Sequence, residues 1–300
     1  MKILLFGTNG QVGWELRRTL GPLGDLVALG RGEADLEHPQ TIREAIRRER
    51  PDVVVNAAAY TAVDRAEDEP ERSRLVNACS VAAMAEEIAR SGGWLVHYST
   101  DYVFDGTKPD RYLETDPTNP LGVYGATKAE GERLIQAAGC RHLIFRTSWV
   151  YSDRGHNFLR TILRLARDRA ELSVVDDQVG APTSAALLAF LTAEAVRRLG
   201  GPDPRPPESG IYHVAPLGST SWHGYARFVV AEAGGCGMRL LAGPDDIRPI
   251  PTSAYPTPAR RPANSLLHTG KVAHALAVSL PPWEQDVRHA VAAIARSEQS

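Results

Sequence analysis

Along the first half of the chain, hydrophobic residues fall into short runs that are apolar throughout, separated by longer stretches with apolar residues on one helical face. KILLFG (2–7), DLVALG (25–30), DVVVNAA (52–58), WLVHYS (94–99) and HLIFRTS (142–148) are of the first kind. Val12 to Leu20, TIREAIRRER (41–50) and SVAAMAEEIARSG (80–92) are of the second. Runs without alternation predict strands buried on both faces. Strands that alternate with helices predict parallel pairing through right-handed crossovers, hence an open sheet covered on both sides. The expected fold class is α/β, with a doubly wound parallel sheet.

Beyond residue 150 the pattern loosens. It predicts a helix over 157–169, a strand at LSVVDDQ (172–178), a helix over 184–199 and a last strand at IYHVA (211–215). GPDPRPPESG (201–210) reads as a loop, and PIPTSAYPTPARRPANS (249–265) is too rich in proline for a core helix or central strand. The expected organisation is a nucleotide-binding domain over 1–148, with about 172–200 returning to it. A smaller, mainly substrate-binding domain is expected over 149–300.

Composition narrows the partners. The 300 residues are 43% hydrophobic and 23% charged, with a net charge of −2. That balance gives no electrostatic reason to expect nucleic acid or an acidic membrane surface. Cys79, Cys140 and Cys236 are odd in number and far apart, and the nine histidines show no H-x-x-x-H spacing. Neither a disulfide framework nor a zinc site is expected. The apolar run at the N-terminus is too short for a signal peptide, and no run approaches a membrane span. A reducing cytoplasm is the expected location.

Candidate chemistry begins at Gly7-Thr8-Asn9-Gly10-Gln11-Val12-Gly13, directly after one strand and opening a helix. Glycines three apart permit a tight turn, close backbone approach to a pyrophosphate and close helix–strand packing, with the helix N-terminus facing the phosphates. A dinucleotide is the ligand this arrangement suits, on a Rossmann-like sheet. A second pair, Tyr124 and Lys128, lies one helical turn apart on one face. A phenol keeps its proton at neutral pH, and a nearby ammonium favours the phenolate, bringing its pKa toward working pH.

The G-x-x-G-x-x-G spacing together with Tyr124-x-x-x-Lys128 resembles the short-chain dehydrogenase/reductase superfamily. STDYVFDG (99–106) is similar to its extended branch, which acts on nucleotide sugars. NAAAYTAVDRAE (56–67), YGATK, RTSWVY (146–151), DDQVGAPT (176–183) and YPTPARRPANS (255–265) follow in order over nearly the whole length. Together they resemble the dTDP-4-dehydrorhamnose reductase family. The resemblance implies reduction of the C4 ketone of dTDP-4-dehydro-β-L-rhamnose, with Thr100, Tyr124 and Lys128 as the catalytic set. It implies cofactor contacts at Gly7, Asn9, Gly10, Gln11, Val12, Gly13, Gly30, Arg31, Asp35, Leu36, Ala59, Tyr60, Thr61, Tyr98, Tyr124 and Lys128. Thr100, Asp101 and Trp149 would contact the sugar. Arg260 and Arg261 read either as a surface pair or as a clamp for the nucleotide diphosphate. Asn77 is expected to hold structure by hydrogen bonding.

Departures from the family pattern matter too. The second strand ends Leu29-Gly30-Arg31 with no acid at its tip, where many NAD-specific proteins place one. An arginine there favours a 2′-phosphate, so NADPH is the expected cofactor, with NADH as a second. Glu15 is one carboxylate for the metal-bridged homodimer suggested in the family, but further carboxylate counterparts are lacking, so no Mg2+ site is predicted. Thr100 is followed by Asp101 and Tyr102 rather than by two acids, which favours reduction over dehydration. Two alternatives stand beside this reading. One is a reductase of another dTDP-4-keto-6-deoxy sugar. The other is a regulatory subunit resembling the β subunit of methionine adenosyltransferase.

Overall fold

The computed structural model describes residues 1–200 and 206–299; residues 201–205 of the expected proline-rich loop lie outside them. The elements run β1 (Lys2–Phe6), α1 (Gln11–Leu20), β2 (Asp25–Leu29), α2 (Pro39–Glu49), β3 (Val53–Asn56) and α3 (Val63–Ala66). Next come α4 (Pro70–Arg74), a π turn (Leu75–Cys79), α5 (Ser80–Ser91), β4 (Trp94–Thr100), α6 (Val123–Ala137) and β5 (Arg141–Thr147). The second half contains β6 (Val150–Tyr151), α7 (Phe158–Asp168), β7 (Leu172–Val175), β8 (Val179–Gly180), β9 (Thr183–Ser184) and α8 (Ala185–Gly200). It continues with β10 (Gly210–His213), β11 (Thr220–Ser221), α9 (Trp222–Gly235), β12 (Ile247–Ile250), α10 (Gly270–Leu276) and α11 (Trp283–Gln299).

Six parallel strands form the central sheet in the order β2-β1-β3-β4-β5-β10. The apolar runs are buried on both faces, as their lack of alternation predicts. Ile3, Leu5, Val53, Val55, Leu143 and Phe145 point to one face, where they meet Leu16 and Leu20 of α1 and Leu187 and Leu191 of α8. Leu4, Phe6, Val54, Leu95 and Ile144 point to the other, against Ile42 and Ile46 of α2 and Met84 and Ile88 of α5. Each such side chain, fully buried, contributes roughly 1.5–3 kcal/mol relative to exposure. The doubly wound α/β fold is thus present, and the chain reverses its direction of winding between β1 and β3. Ligands of open parallel sheets bind outside the carboxyl ends of the strands at such a point.

A separate core lies among α7, α9 and α11, where Leu159, Ile162, Tyr225, Val229, Val287 and Val291 are buried. Helices α9, α10 and α11 are not among the elements the hydrophobic pattern predicts. The expected strand at 172–178 is shorter, and it pairs with β12 away from the main sheet. Pro249 lies within β12, where an edge position tolerates its missing N–H. Helix α8 packs instead on the first core, and β10 extends the central sheet beside β5. Among the described residues no helix is long and apolar enough to cross a membrane.

Candidate active site

A cleft of about 750 Å³ runs along the carboxyl ends of β1, β2, β3 and β4. The glycine turn follows β1, between the ends of β2 and β3. Gly7 has φ +83°, and a Cβ there would meet the backbone of Ala57 and Ala58 at 2.7 and 2.6 Å. A Cβ on Gly13 would stand 2.0 Å from the Gly7 carbonyl oxygen, so only glycine lets α1 approach the turn. Gly10 caps α1 without a side-chain hydrogen bond, which leaves the first N–H groups of the helix for a ligand. Gly7, Asn9, Gly10, Gln11 and Val12 line the cleft, whereas Gly13 serves the packing behind it.

Gly30, Arg31, Asp35 and Leu36 form the next stretch of wall. The Arg31 side chain is 72% exposed and 3.9 Å from the carboxylates of both Asp35 and Glu37, so no close ion pair holds it. The structure also corrects the expectation of a strand tip without an acid. Glu33 folds back, and its carboxylate accepts the Gly30 N–H at 2.9 Å. Sequence reading missed it because the acid reaches the tip through a turn. Ala59 and Thr61 line the cleft; Tyr60 does not, its hydroxyl donating to Glu69 at 3.0 Å. Asn77, in the π turn, brackets the Tyr60 backbone, accepting its N–H at 2.9 Å and donating to its carbonyl at 3.1 Å.

Thr100, Tyr124 and Lys128 line the same cleft. Thr100 is the last residue of β4; its hydroxyl donates to Asp101 Oδ1 at 3.1 Å and accepts the Tyr102 N–H at 3.2 Å. Tyr124 and Lys128 stand on the first turns of α6, whose Val123 N–H donates to Glu67 at 2.9 Å. Lys128 is 1% exposed, and its Nζ lies 2.6 Å from the Tyr98 carbonyl oxygen, to which it donates, and 3.0 Å from His97 Nε2. Burial lowers the Lys128 pKa to about 8, with Glu132 opposing. Burial pushes the Tyr124 phenol up to about 12, with the Thr100 hydroxyl opposing. Desolvation, and not the expected downward pull of the lysine, therefore sets the direction of the tyrosine's shift. Burial likewise raises Asp101 to about 6, against hydrogen bonds from Ser265 and Thr100.

The opposite wall is aromatic. Trp149 faces the cleft with φ +50°, an uncommon conformation for a bulky residue. Its ring stacks on Trp222 with centroids 3.5 Å apart and planes at 11°, and Trp222 Nε1 donates to Gln178 at 3.2 Å. Gly180 makes room, since a Cβ there would lie 2.4 Å from the Trp149 ring. The tandem arginines do not line the cleft: Arg260 is exposed and Arg261 pairs with Asp64 at 3.0 Å. Sequence reading passed over Tyr102, Thr147, His156 and Leu188, which do line it.

Comparison with known proteins agrees with this geometry. Residues 1–296 match the family described as the RmlD substrate binding domain. The dTDP-4-dehydrorhamnose reductases of Shigella flexneri and Salmonella typhimurium are 50% and 51% identical over 292 residues, 96% of each chain. A crystal structure of dTDP-4-dehydrorhamnose reductase from Bacillus anthracis in complex with NADP is 30% identical. Its TM-score is 0.86, over 96% of this chain and 97% of that one. A dTDP-glucose 4,6-dehydratase from Streptomyces venezuelae, 18% identical with a TM-score of 0.77 over 96% of both chains, shares the fold alone. With its length, its fold and its cleft all in agreement, this chain belongs to the dTDP-4-dehydrorhamnose reductase family.

Proposed function

We propose that the protein reduces the C4 ketone of dTDP-4-dehydro-β-L-rhamnose with NADPH, yielding dTDP-L-rhamnose. The observation that carries this reading is that Thr100, Tyr124 and Lys128 line the same cleft as the glycine turn, at the carboxyl ends of neighbouring strands. The relatives named for this reaction, half identical over nearly the full length, support the substrate. The turn fits a dinucleotide: Gly7 and Gly13 leave no room for a Cβ, and the N-terminus of α1 opens onto the cleft. Asn9, Gln11, Arg31, Asp35, Leu36, Ala59, Thr61 and Tyr98 are the further wall residues that would hold it. The exposed Arg31 suits a 2′-phosphate, and the Bacillus anthracis relative, solved in complex with NADP, supports NADPH as the cofactor.

The bound cofactor supplies the hydride. The phenol of Tyr124 keeps its proton at neutral pH, with desolvation pushing its pKa further up, and gives that proton to the ketone oxygen. The Thr100 hydroxyl hydrogen-bonds that oxygen and shares its developing charge. Lys128, when charged, stabilises the phenolate that Tyr124 becomes, until solvent restores the proton. Trp149 and Asp101 form the sugar end of the cleft. The two buried cores support a nucleotide unit of residues 1–148 completed by α8 and β10, and a sugar-nucleotide unit built mainly from the remainder. Three free cysteines suit a reducing cytoplasm.

The test is consumption of NADPH by the purified protein with freshly prepared dTDP-4-dehydro-β-L-rhamnose and no partner protein. Loss of the reduced-nicotinamide absorbance with dTDP-L-rhamnose as product is the expected result. A 6-deoxytalose product would replace the stereochemistry, and no consumption despite NADPH binding would overturn the enzymatic reading.

A further inference from the structure

Lys128 stands at the end of a line of buried hydrogen bonds that the proposed mechanism leaves unused. The Ala58 N–H donates to Asn56 Oδ1 at 3.0 Å, and Asn56 Nδ2 lies 3.1 Å from His97 Nδ1. On the other side of the ring, His97 Nε2 lies 3.0 Å from Lys128 Nζ. Asn56 and His97 are each 1% exposed, so water cannot repair a mismatch among these groups.

The hydrogens follow from the partners. A backbone N–H has only donor chemistry, so it holds the Asn56 oxygen and turns the amide nitrogen toward the imidazole. Nδ1 of His97 must then accept. A neutral imidazole whose Nδ1 accepts carries its hydrogen on Nε2, and that N–H is aimed at Lys128 Nζ. A neutral amine has a lone pair to receive it. An ammonium has none, and meets it donor to donor.

We infer that Asn56 and His97 are positioning residues that set the protonation of Lys128, and through it the alkaline limit of turnover. The inference rests on the role given to Lys128 under the proposed function. The lysine titrates low, at about 8, chiefly through burial, and burial holds His97 well below the ordinary histidine range, so the ring stays neutral. The other titratable groups around Lys128 are Tyr124 one turn back, Asp101 just after β4, and Glu132 one turn on, paired with Arg146 of β5 at 2.7 Å. The Tyr98 carbonyl accepts from amine and ammonium alike. The His97 ring is thus the neighbour whose hydrogen placement discriminates between the two.

Asn56→Asp tests this in the full-length protein. A carboxylate accepts from both the Ala58 N–H and the ring, which moves the hydrogen to Nδ1 and offers Nε2 to an ammonium. The alkaline limb of kcat should move up by about one pH unit or more, tenfold in proton concentration, with KM little changed. Asn56→Ala, which removes the donor that keeps Nδ1 an acceptor and adds no charge, lets the ring carry its hydrogen on Nδ1; it should move the limb the same way and covers the case in which the first variant does not fold. Ring 15N shifts of His97 in the cofactor-free wild type should show hydrogen on Nε2. Hydrogen on Nδ1 in the wild type, or an unmoved limb in a folded variant, would overturn the inference. Wild-type turnover in Lys128→Met would instead remove the mechanistic role of Lys128, while the ring shifts still judge the hydrogen-bond line by themselves.

Discussion

On one wall of the cleft the groups come from the carboxyl ends of parallel strands or from the turns that follow them. Gly7 follows β1, Gly30 follows β2, Ala57 follows β3 and Thr100 ends β4. On the opposite wall Trp149 leaves the end of β5 in a strained conformation and is held by Trp222, which begins α9 far along the chain. Phe158 of α7 packs against the same ring, with centroids 4.5 Å apart. The first wall is specified by local turn geometry, and the second by packing among segments distant in sequence. Under the proposed function, cofactor recognition rests mainly on turns at strand ends, and sugar recognition on a surface that long-range packing assembles.

The largest effect is expected where the two walls face each other. Tyr124→Phe removes the proton donor and leaves both walls in place, so kcat should fall by about 10²–10⁴ with the dissociation constant for NADPH unchanged. Fluorescence titration and steady-state kinetics measure the two quantities. A variant with near-normal turnover would take Tyr124 out of the reaction.

A matched pair of glycine substitutions divides the walls. Gly13→Ala drives a Cβ to 2.0 Å from the Gly7 oxygen, so the turn must shift, and NADPH affinity should weaken about tenfold or more together with Tm. Gly180→Ala pushes instead on the Trp149 ring at 2.4 Å, and should raise KM for the sugar nucleotide about tenfold while leaving NADPH affinity alone. If both variants impair both ligands equally, the walls are not independent and the comparison fails.

The smallest effect concerns stability. The folded-state pKa of Lys128, about 8, lies below its ordinary value of 10.5. Between these values the unfolded chain binds the extra proton, so the cofactor-free protein gains stability as pH rises through that window, by up to about 3 kcal/mol. Lys128→Met should flatten that rise, and urea midpoints of both proteins across the window will measure the difference. A parallel rise in the variant would place the effect elsewhere.

How far the sequence could be read depended on the range of the interaction involved. The strands of the sheet are continuous apolar runs, and burial on both faces leaves that signature directly. The glycine turn and the Tyr124–Lys128 pair are legible because the Gly7–Gly13 clearance and helical spacing act within a few residues, although the clearance of Gly7 from Ala57 and Ala58 is set by the fold. Helices α9 and α11 were not anticipated, since the aromatic core they share with α7 exists only once all three are packed. The family resemblance implies Tyr60 as a cofactor contact, and the sequence leaves Arg261 open between a surface pair and a clamp. Their side chains turn to Glu69 and Asp64, choices that depend on what the fold places beside them. His97 reads as one polar residue in a buried strand, and nothing in WLVHYS announces a lysine at hydrogen-bond distance.

The alternating strands and helices of the first half, the tight glycine turn and the placing of Tyr124 and Lys128 on one helical face were therefore determined by the sequence itself, because each follows from periodicity, sterics or spacing over one or two turns. Which way the charges shift was decided only by the tertiary structure. Lysine beside tyrosine suggests a lowered phenol pKa, yet Tyr124 is raised and Lys128 lowered. The reason is that desolvation depends on everything packed around a group, and at this site β4 and α6, brought together only by the fold, exclude the water that would have kept both near their ordinary values.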